Sequence, residues 1–558
     1  MMRPCTPALS TRSSSSAKRA DSPRLVVFFE PNGLRHGEFR LRPDSGWGET
    51  VTGLSWNCES DLLAVTLRCS STLAPGDDGP PETRSKVQLW HRSNYHWYLK
   101  QELRYESTVA SMVTFDEERP RDVTVALKFQ DSAKLELREY TFVWDASVVS
   151  HGGTAAAVDG DSLNFTPFHQ AMVPPPMYFA TVPMAAPIAG IVSVPPFLTA
   201  RSTGMALSWV ATLSDGTLAL LGQDGDKPRR GSSFVAPTLL ASVSLDCART
   251  LRQFLVANIS SVGDGTTAVR MIGISCGNGP SDASEDIVEI EILLDGSEPI
   301  VNVVGRISVE GRILRIGNWV DADGALIETT DGCLLEYESA MEGLQGSVVP
   351  SSAEPFLEPC PWVQGLFGSG HERRIIIGRS SRSRLYLGER ILSDASSSFA
   401  ISQAHQFLGY ATLGSRSQLR FIPLSALAKY DPLMGSEENV DILGEGYEPR
   451  SCERGSRLLA ILPETPTAVL QLPRGNLEGV YPRALVLPFV MGLIKKGEFG
   501  RALEIMRKQK IDLNLVCDMN PVKFLQDGGV LNFISQVRKI DYLNLFISSL
   551  FDGDITQW

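Results

Sequence analysis

The feature that most constrains this chain is an Asp-Gly turn that recurs between short apolar runs. It occurs in "TLSDGTLALL" at Asp215-Gly216, in "DADGALIET" at Asp323-Gly324 and in "TTDGCLLEYE" at Asp331-Gly332. Glycine adopts the positive φ of a tight turn without a Cβ penalty, and alternating apolar residues on either side give each strand one face to bury. The same grammar appears in "LVVFFEPNGLRHGEFRL", where Pro31-Asn32-Gly33 separates two apolar stretches. "VTGLSWNCESDLLAVTL" carries a polar turn at 57–61, and "KVQLWHRSNYHWYLKQEL" turns at Arg92-Ser93-Asn94. Sustained over residues 25–472, this pattern predicts an array of short antiparallel strands, as in a sandwich or a β-propeller.

The repeat unit favours the propeller. Residues 55–65, S-W-N-x-x-S-x-x-L-A-V, are followed after a loop by V-Q-L-W at 87–90, which reads as the inner part of a WD40-like blade with its Trp packed between blades. Seven or so blades of ~45–60 residues would fill 25–472 as one propeller. Residues 1–24 read as a disordered lead-in or the remnant of a preceding propeller. The polar, Gly-rich 434–457 reads as an insertion near the final blade.

At 473 the periodicity changes. Phe499, Ala502, Leu503 and Met506 fall at i, i+3, i+4 and i+7, one stripe of an amphipathic helix. Asn520-Pro521 is an N-cap followed by proline at the first helical position. Phe533, Ile534 and Val537 mark another helix, and "IDYLNLFISSLF" a further one. Residues 473–558 are therefore expected to form the first helices of an α-solenoid, whose repeats bury their faces on neighbours. Pro488 costs ~3 kcal/mol inside a helix, so the first helix is expected to start near Leu487 or to kink. Leu477 and Tyr481, flanking the "RGNLE" corner, are expected to pack that helix against the last strand.

Composition bounds the rest. The chain has 558 residues, 43% hydrophobic and 21% charged, with a net charge of −12. That is an ordinary globular balance for two to four domains, and it disfavours the whole chain as a free-standing nucleic-acid binder. No stretch approaches the eighteen or so apolar residues of a membrane helix, and the N-terminus has no apolar core of a secretory signal. The nine cysteines are scattered without a C-x-x-C pair, which fits reduced thiols. No phosphate-loop, H-E-x-x-H, nucleophile-elbow or zinc-spaced motif occurs, so no catalytic, cofactor-binding or metal-binding residue is assigned and the chain is not expected to be an enzyme. His91 and His96 could face each other across their hairpin but lack a third ligand. Asp116–Glu118 and Ser284–Asp286 read as solvated acidic turns, and Lys227, Arg229 and Arg230 as a solvated loop.

One stretch stands out electrostatically. Arg474, Arg483, Lys495, Lys496, Arg501, Arg507, Lys508 and Lys510 face only Glu478, Glu498 and Glu504, which makes the joint +5 within a −12 chain. The residues suit either the outer face of a solenoid helix or a contact for an acidic partner or RNA backbone.

"VVFFEPNGLRHGEFRL", "LSWNCESDLLAV", "VQLWHRSNYHWYLKQEL" and "PRGNLEGVYPRALV" with "KGEFGRALEIMRKQKIDLNLVCDMNPVKFL" resemble the largest subunit of the Elongator complex. That family carries two WD40 propellers followed by a long α-solenoid. The resemblance implies a fragment covering the second propeller and the start of the solenoid, with the dimerisation region and the main basic tRNA-binding segment absent. It implies a non-catalytic scaffold without a cofactor, supporting modification of carbon 5 of the wobble uridine in tRNA. Its partners would be the Elongator catalytic subunit and the WD40 partner subunit, with tRNA bound only weakly by this chain alone and no membrane. The expected compartment is the cytoplasm, with the nucleus as a second. A propeller–solenoid coat or trafficking scaffold is the alternative that the architecture alone would allow.

Overall fold

The computed structural model of the 558-residue chain describes residues 6–9, 25–29, 32–41, 47–71, 83–93, 96–105, 108–117, 119–129, 134–141, 147–150, 152–169, 178–195, 205–213 and 215–224. It further describes 236–249, 251–261, 266–276, 285–294, 298–320, 322–340, 344–367, 374–414, 416–429, 447–473, 476–525 and 528–554. Most of the stretch before residue 25, the Lys227–Arg230 loop and Arg474 lie outside these residues.

The Asp-Gly turns do join strands. Asp215-Gly216 links Met205–Leu213 to Thr217–Asp224, and Asp331-Gly332 links Ala325–Thr329 to Leu334–Glu338. Gly216 and Gly332 sit at φ of 89° and 87°, where a Cβ would be strained. Among the described residues, the strands between 147 and 480 form seven antiparallel sheets: 147–183, 188–244, 251–309, 313–350, 362–393, 396–451 and 457–480. These are blades one to seven. Their innermost strands, from Ser147–Val149 to Arg457–Ile461, follow one another in chain order, and the last lies beside the first.

Each blade junction is its own apolar cluster, which is why the ring holds. Phe165 of blade one meets Trp209 of blade two, with ring centroids 5.7 Å apart. Val210, Leu218 and Leu220 pack on Met271 and Ile290, and Ile272 and Ile287 pack on Ile313 and Tyr337. Trp319 and Leu326 meet Val363 and Ile376, Leu366 and Ile377 meet Leu408 and Tyr410, and Phe407 and Leu419 meet Leu458 and Leu470. The seventh cluster sets Leu462, Val469 and Leu477 against Ala155 and Phe168 of blade one. That contact closes the ring.

The earlier strands are not part of it. They form three further sheets, 6–40, 47–105 and 108–141. Val26, Phe28 and Phe39 stack on Leu63, Val65 and Trp90, and Leu62 and Leu89 stack on Val113, Val123 and Val125. Trp56 takes its expected place between sheets, 5.9 Å from the Phe28 ring and 5.3 Å from Trp97. The single propeller expected over 25–472 is thus corrected: the ring runs from 147 to 480 and a separate three-sheet unit precedes it. Both units use the same turn grammar, so the strand pattern carries no mark of the boundary.

After a short helix α1 (Leu424–Lys429) in blade six, the C-terminal part holds α2 (Arg483–Lys496), α3 (Phe499–Gln509), α4 (Leu515–Asp518), α5 (Pro521–Leu525), α6 (Gly529–Gln536) and α7 (Ile540–Ser549). Gly497, at φ 79°, reverses the chain between α2 and α3. Phe499, Ala502, Leu503 and Met506 are all buried, packed with Val490, Phe524, Phe533 and Phe546. The Asn520 side chain caps α5 by accepting the Lys523 N–H at 3.0 Å. The expected start near Leu487 is corrected. The first helix starts at Arg483, four residues before Leu487, because the Pro482 carbonyl already accepts the N–H groups of Leu485 and Val486; Pro488 lies inside it. Phe533 and Ile534 lie on α6, the further helix expected there, with Phe533 buried and Ile534 46% exposed.

Candidate functional site: the helix joint and the charged seam

The joint between ring and helices is built from both sides. Ala484 and Leu485 of α2 enter the cluster between blades six and seven, so the helix begins inside the ring's own core. Phe489, one turn on, lies 5.6 Å from the His405 ring of blade six and 5.3 Å from the Arg501 guanidinium of α3. His405 Nε2 lies 2.8 Å from the Leu462 carbonyl and 3.1 Å from that of Thr465; facing two acceptors, it must be the protonated nitrogen. Arg501 also donates to the Glu464 carbonyl at 2.7 Å. Of the two corner residues expected to pack the first helix, Tyr481 does so. Leu477 instead faces blade one, because the alternation of the strand turns it into the ring.

The basic stretch does not form one patch. Arg483, at the start of α2, reaches the carbonyl of Lys510, at the end of α3, at 3.5 Å. The two helices are therefore antiparallel, and Lys495 and Lys496 lie a helix length of roughly 20 Å from Arg507, Lys508 and Lys510. Both groups occupy last turns, where the carbonyl ends of the helix attract cations. Arg507 stacks on Tyr542 of α7 at 4.3 Å. Arg483, Arg501 and Arg507 thus make contacts within the fold, and the four lysines are exposed.

A second charged region, absent from the sequence reading, joins the three-sheet unit to the ring. Asp61, in the turn after Asn57, lies 3.4 Å from Arg121, 3.5 Å from His91 Nε2 and 3.8 Å from Arg457 of blade seven. Burial alone would raise its carboxyl, but Arg121, His91 and Arg457 hold it far below the usual carboxylate range. Glu59 reaches Arg379 of blade five at 3.5 Å, and the Arg379 guanidinium stacks on Trp362 at 4.3 Å. Asp116 pairs with Arg312 at 2.8 Å, and buried Arg119 lies 3.4 Å from Glu285 and 3.1 Å from Asp122. Glu285 also accepts the Ile313 N–H at 2.7 Å, although burial raises its carboxyl.

Asp116 and Glu285 are therefore corrected from solvated turns to seam residues. The pattern that hid them is distance in sequence: Glu59 and Arg379 are 320 residues apart. His91 lies 3.5 Å from Asp61, and the hairpin register sets Tyr98, not His96, opposite it; the His96 side chain lies outside the described residues. Among the described residues, no group of His, Cys, Asp and Glu side chains could hold a metal ion, and no helix is long and apolar enough to cross a membrane.

Comparison with known families matches this anatomy segment by segment. Residues 10–118 match the ELP1 first N-terminal β-propeller, 157–459 the ELP1 N-terminal second β-propeller, and 483–558 the ELP1 α-solenoid. The chain belongs to the ELP1 family. The first match corrects the expectation that the β-rich part covers the second propeller alone, and it makes the seam a contact between segments of two propellers. The chain is 29% identical over 557 residues to Elongator complex protein 1 of Saccharomyces cerevisiae, covering 95% of this chain and 36% of that protein. It is 28% identical to the putative elongator complex protein 1 of Xenopus laevis, covering 97% and 45%. The chain thus spans less than half the length of these relatives. Among solved structures, the WD40 domain of Toxoplasma gondii coronin covers 74% of this chain and 98% of its own, at 11% identity and a TM-score of 0.27, too low to bear on function.

Proposed function

We propose that this chain is a non-catalytic scaffold subunit of Elongator, supporting modification of carbon 5 of the wobble uridine in tRNA. The observation that carries the reading is the succession of three ELP1-family segments along one chain, joined by packed contacts at the seam and the joint. Such a frame suits holding other subunits at set angles. In this reading the partners are the Elongator catalytic subunit and its WD40 partner. The exposed Lys495, Lys496, Lys508 and Lys510 add weak, backbone-directed contacts to tRNA, and the compartment is the cytoplasm, with the nucleus as a second. Affinity purification of the tagged chain, followed by mass spectrometry, tests it. Recovery of the Elongator catalytic subunit supports the reading, and recovery of vesicle-coat proteins in its place would overturn it.

A further inference from the structure

The outermost strands of the ring differ in one respect. In blades one, two, four, five and six they are Ala180–Pro183, Thr238–Ser244, Ser347–Pro350, Arg390–Ser393 and Arg450–Ser451, and blade seven ends on Leu477–Val480. None exceeds seven residues. In blade three the outermost strand is Ile300–Val309, ten residues long with the sequence IVNVVGRISV. Natural sheets blunt such edges by shortness, proline or charge. Here no charge interrupts the run from Ile300 to Gly305, and Ile300 and Val303 are 48% and 44% exposed.

The downstream half of this edge is covered by the protein itself. Gln345 donates to the Arg306 carbonyl at 2.7 Å, and the register shift at Glu289/Ile290 marks a bulge that turns the strand there. Val301 consequently packs toward blade two and Ile307 toward blade four. No residue from Ile300 to Val304 is buried, and among the described residues no strand pairs with them on the side away from Glu285–Leu294. Five residues span about 17 Å of edge, the length of an ordinary strand.

We propose that this edge is a docking site for an extended segment of a partner protein, which adds a fifth antiparallel strand to blade three. The backbone supplies the affinity and the flank supplies polarity. Arg306, exposed at the downstream end of the uncharged stretch, sets the polarity: the segment is rich in β-branched residues and acidic at the end meeting Arg306. The site rests on the ring alone and does not depend on the Elongator reading.

The test is fluorescence anisotropy of the full chain with a labelled probe, Glu-Thr-Val-Thr-Val-Thr-Lys, and its charge-reversed twin Lys-Thr-Val-Thr-Val-Thr-Glu. Saturable binding of the first probe is expected, weakened about tenfold by V303K, a lysine of the kind that blunts natural edges. Thermal melting of V303K should match wild type, since Val303 is exposed. R306E should reverse the preference between the twins, which a merely damaged blade would not do. Absence of saturable binding, or binding indifferent to both variants, would overturn the proposal. So would a concentration-dependent dimer dispersed by V303K, which would assign the edge to a second copy of the chain.

Discussion

His405 and Phe489 face each other across the boundary between ring and helices, with ring centroids 5.6 Å apart. The first belongs to blade six and is held by two carbonyls of blade seven. The second belongs to α2 and carries Arg501 on its ring. Phe489→Ala removes the ring that both partners use and should cost roughly 2 kcal/mol at this half-buried site. Hydrogen exchange should rise in α2 and α3 while blades one to five keep their protection. Unchanged protection in the helices would show that Leu485 alone fixes the corner.

The seam makes an electrostatic prediction. Asp61 is held ionised by Arg121, His91 and Arg457, so its folded pKa lies below the ordinary value of 3.8. A depressed carboxylate stabilises the fold above that ordinary value and loses its contribution as pH falls through the folded one. Asp61→Asn should therefore destabilise by roughly 3 kcal/mol at neutral pH, by leaving the arginines without their charge. The difference from wild type in thermal melting should shrink in strong acid. A deficit that is the same at pH 7 and in strong acid would mean that packing at the turn, not charge, holds the seam.

Glu328 predicts the opposite slope. It is buried in blade four, and burial pushes its carboxyl up to about 8, opposed only by the Cys360 N–H at 2.9 Å. A raised carboxyl leaves stability intact below the ordinary value of 4.5 and erodes it as pH rises toward about 8. Glu328→Gln keeps an acceptor for Cys360 without the titration. It should raise the melting temperature at pH 8 by more than at pH 5, and an equal shift at both would remove ionisation as the cause.

These residues show what was legible in the sequence. Strands, turns and the change to helix were readable because they depend on local periodicity: the Asp215-Gly216 turn and the Phe499 to Met506 stripe both fold as expected. Ring closure was not, since Leu462 meets Ala155 through a contact no local pattern records. The seam was hidden for the same reason. The basic stretch was readable as composition but not as shape, because a reversal at Gly497 sends Lys495 and Lys508 to opposite ends of a hairpin.

That division bears on RNA. Each cluster can neutralise only a few phosphates, so affinity should be weak and steeply salt-dependent. Filter binding of tRNA should be weak at physiological salt and insensitive to the anticodon. Reversing Lys495 and Lys496, or Lys508 and Lys510, should each weaken it partially. Tight, anticodon-selective binding that survives both reversals would place RNA recognition on the propellers.

The central claim is that a fixed frame of ring and helices holds Elongator partners, and it is tested most directly by co-purification. Leu485 is fully buried where α2 enters the ring, so Leu485→Asp should uncouple the helices from the ring. Tagged wild type, Leu485→Asp and the milder Arg483→Glu would be compared by quantitative mass spectrometry of bound proteins, with hydrogen exchange confirming that the blades remain folded. The account predicts that wild type retains the Elongator catalytic subunit, that Arg483→Glu retains less, and that Leu485→Asp loses most of it. Equal recovery by all three, with the ring intact, would contradict it.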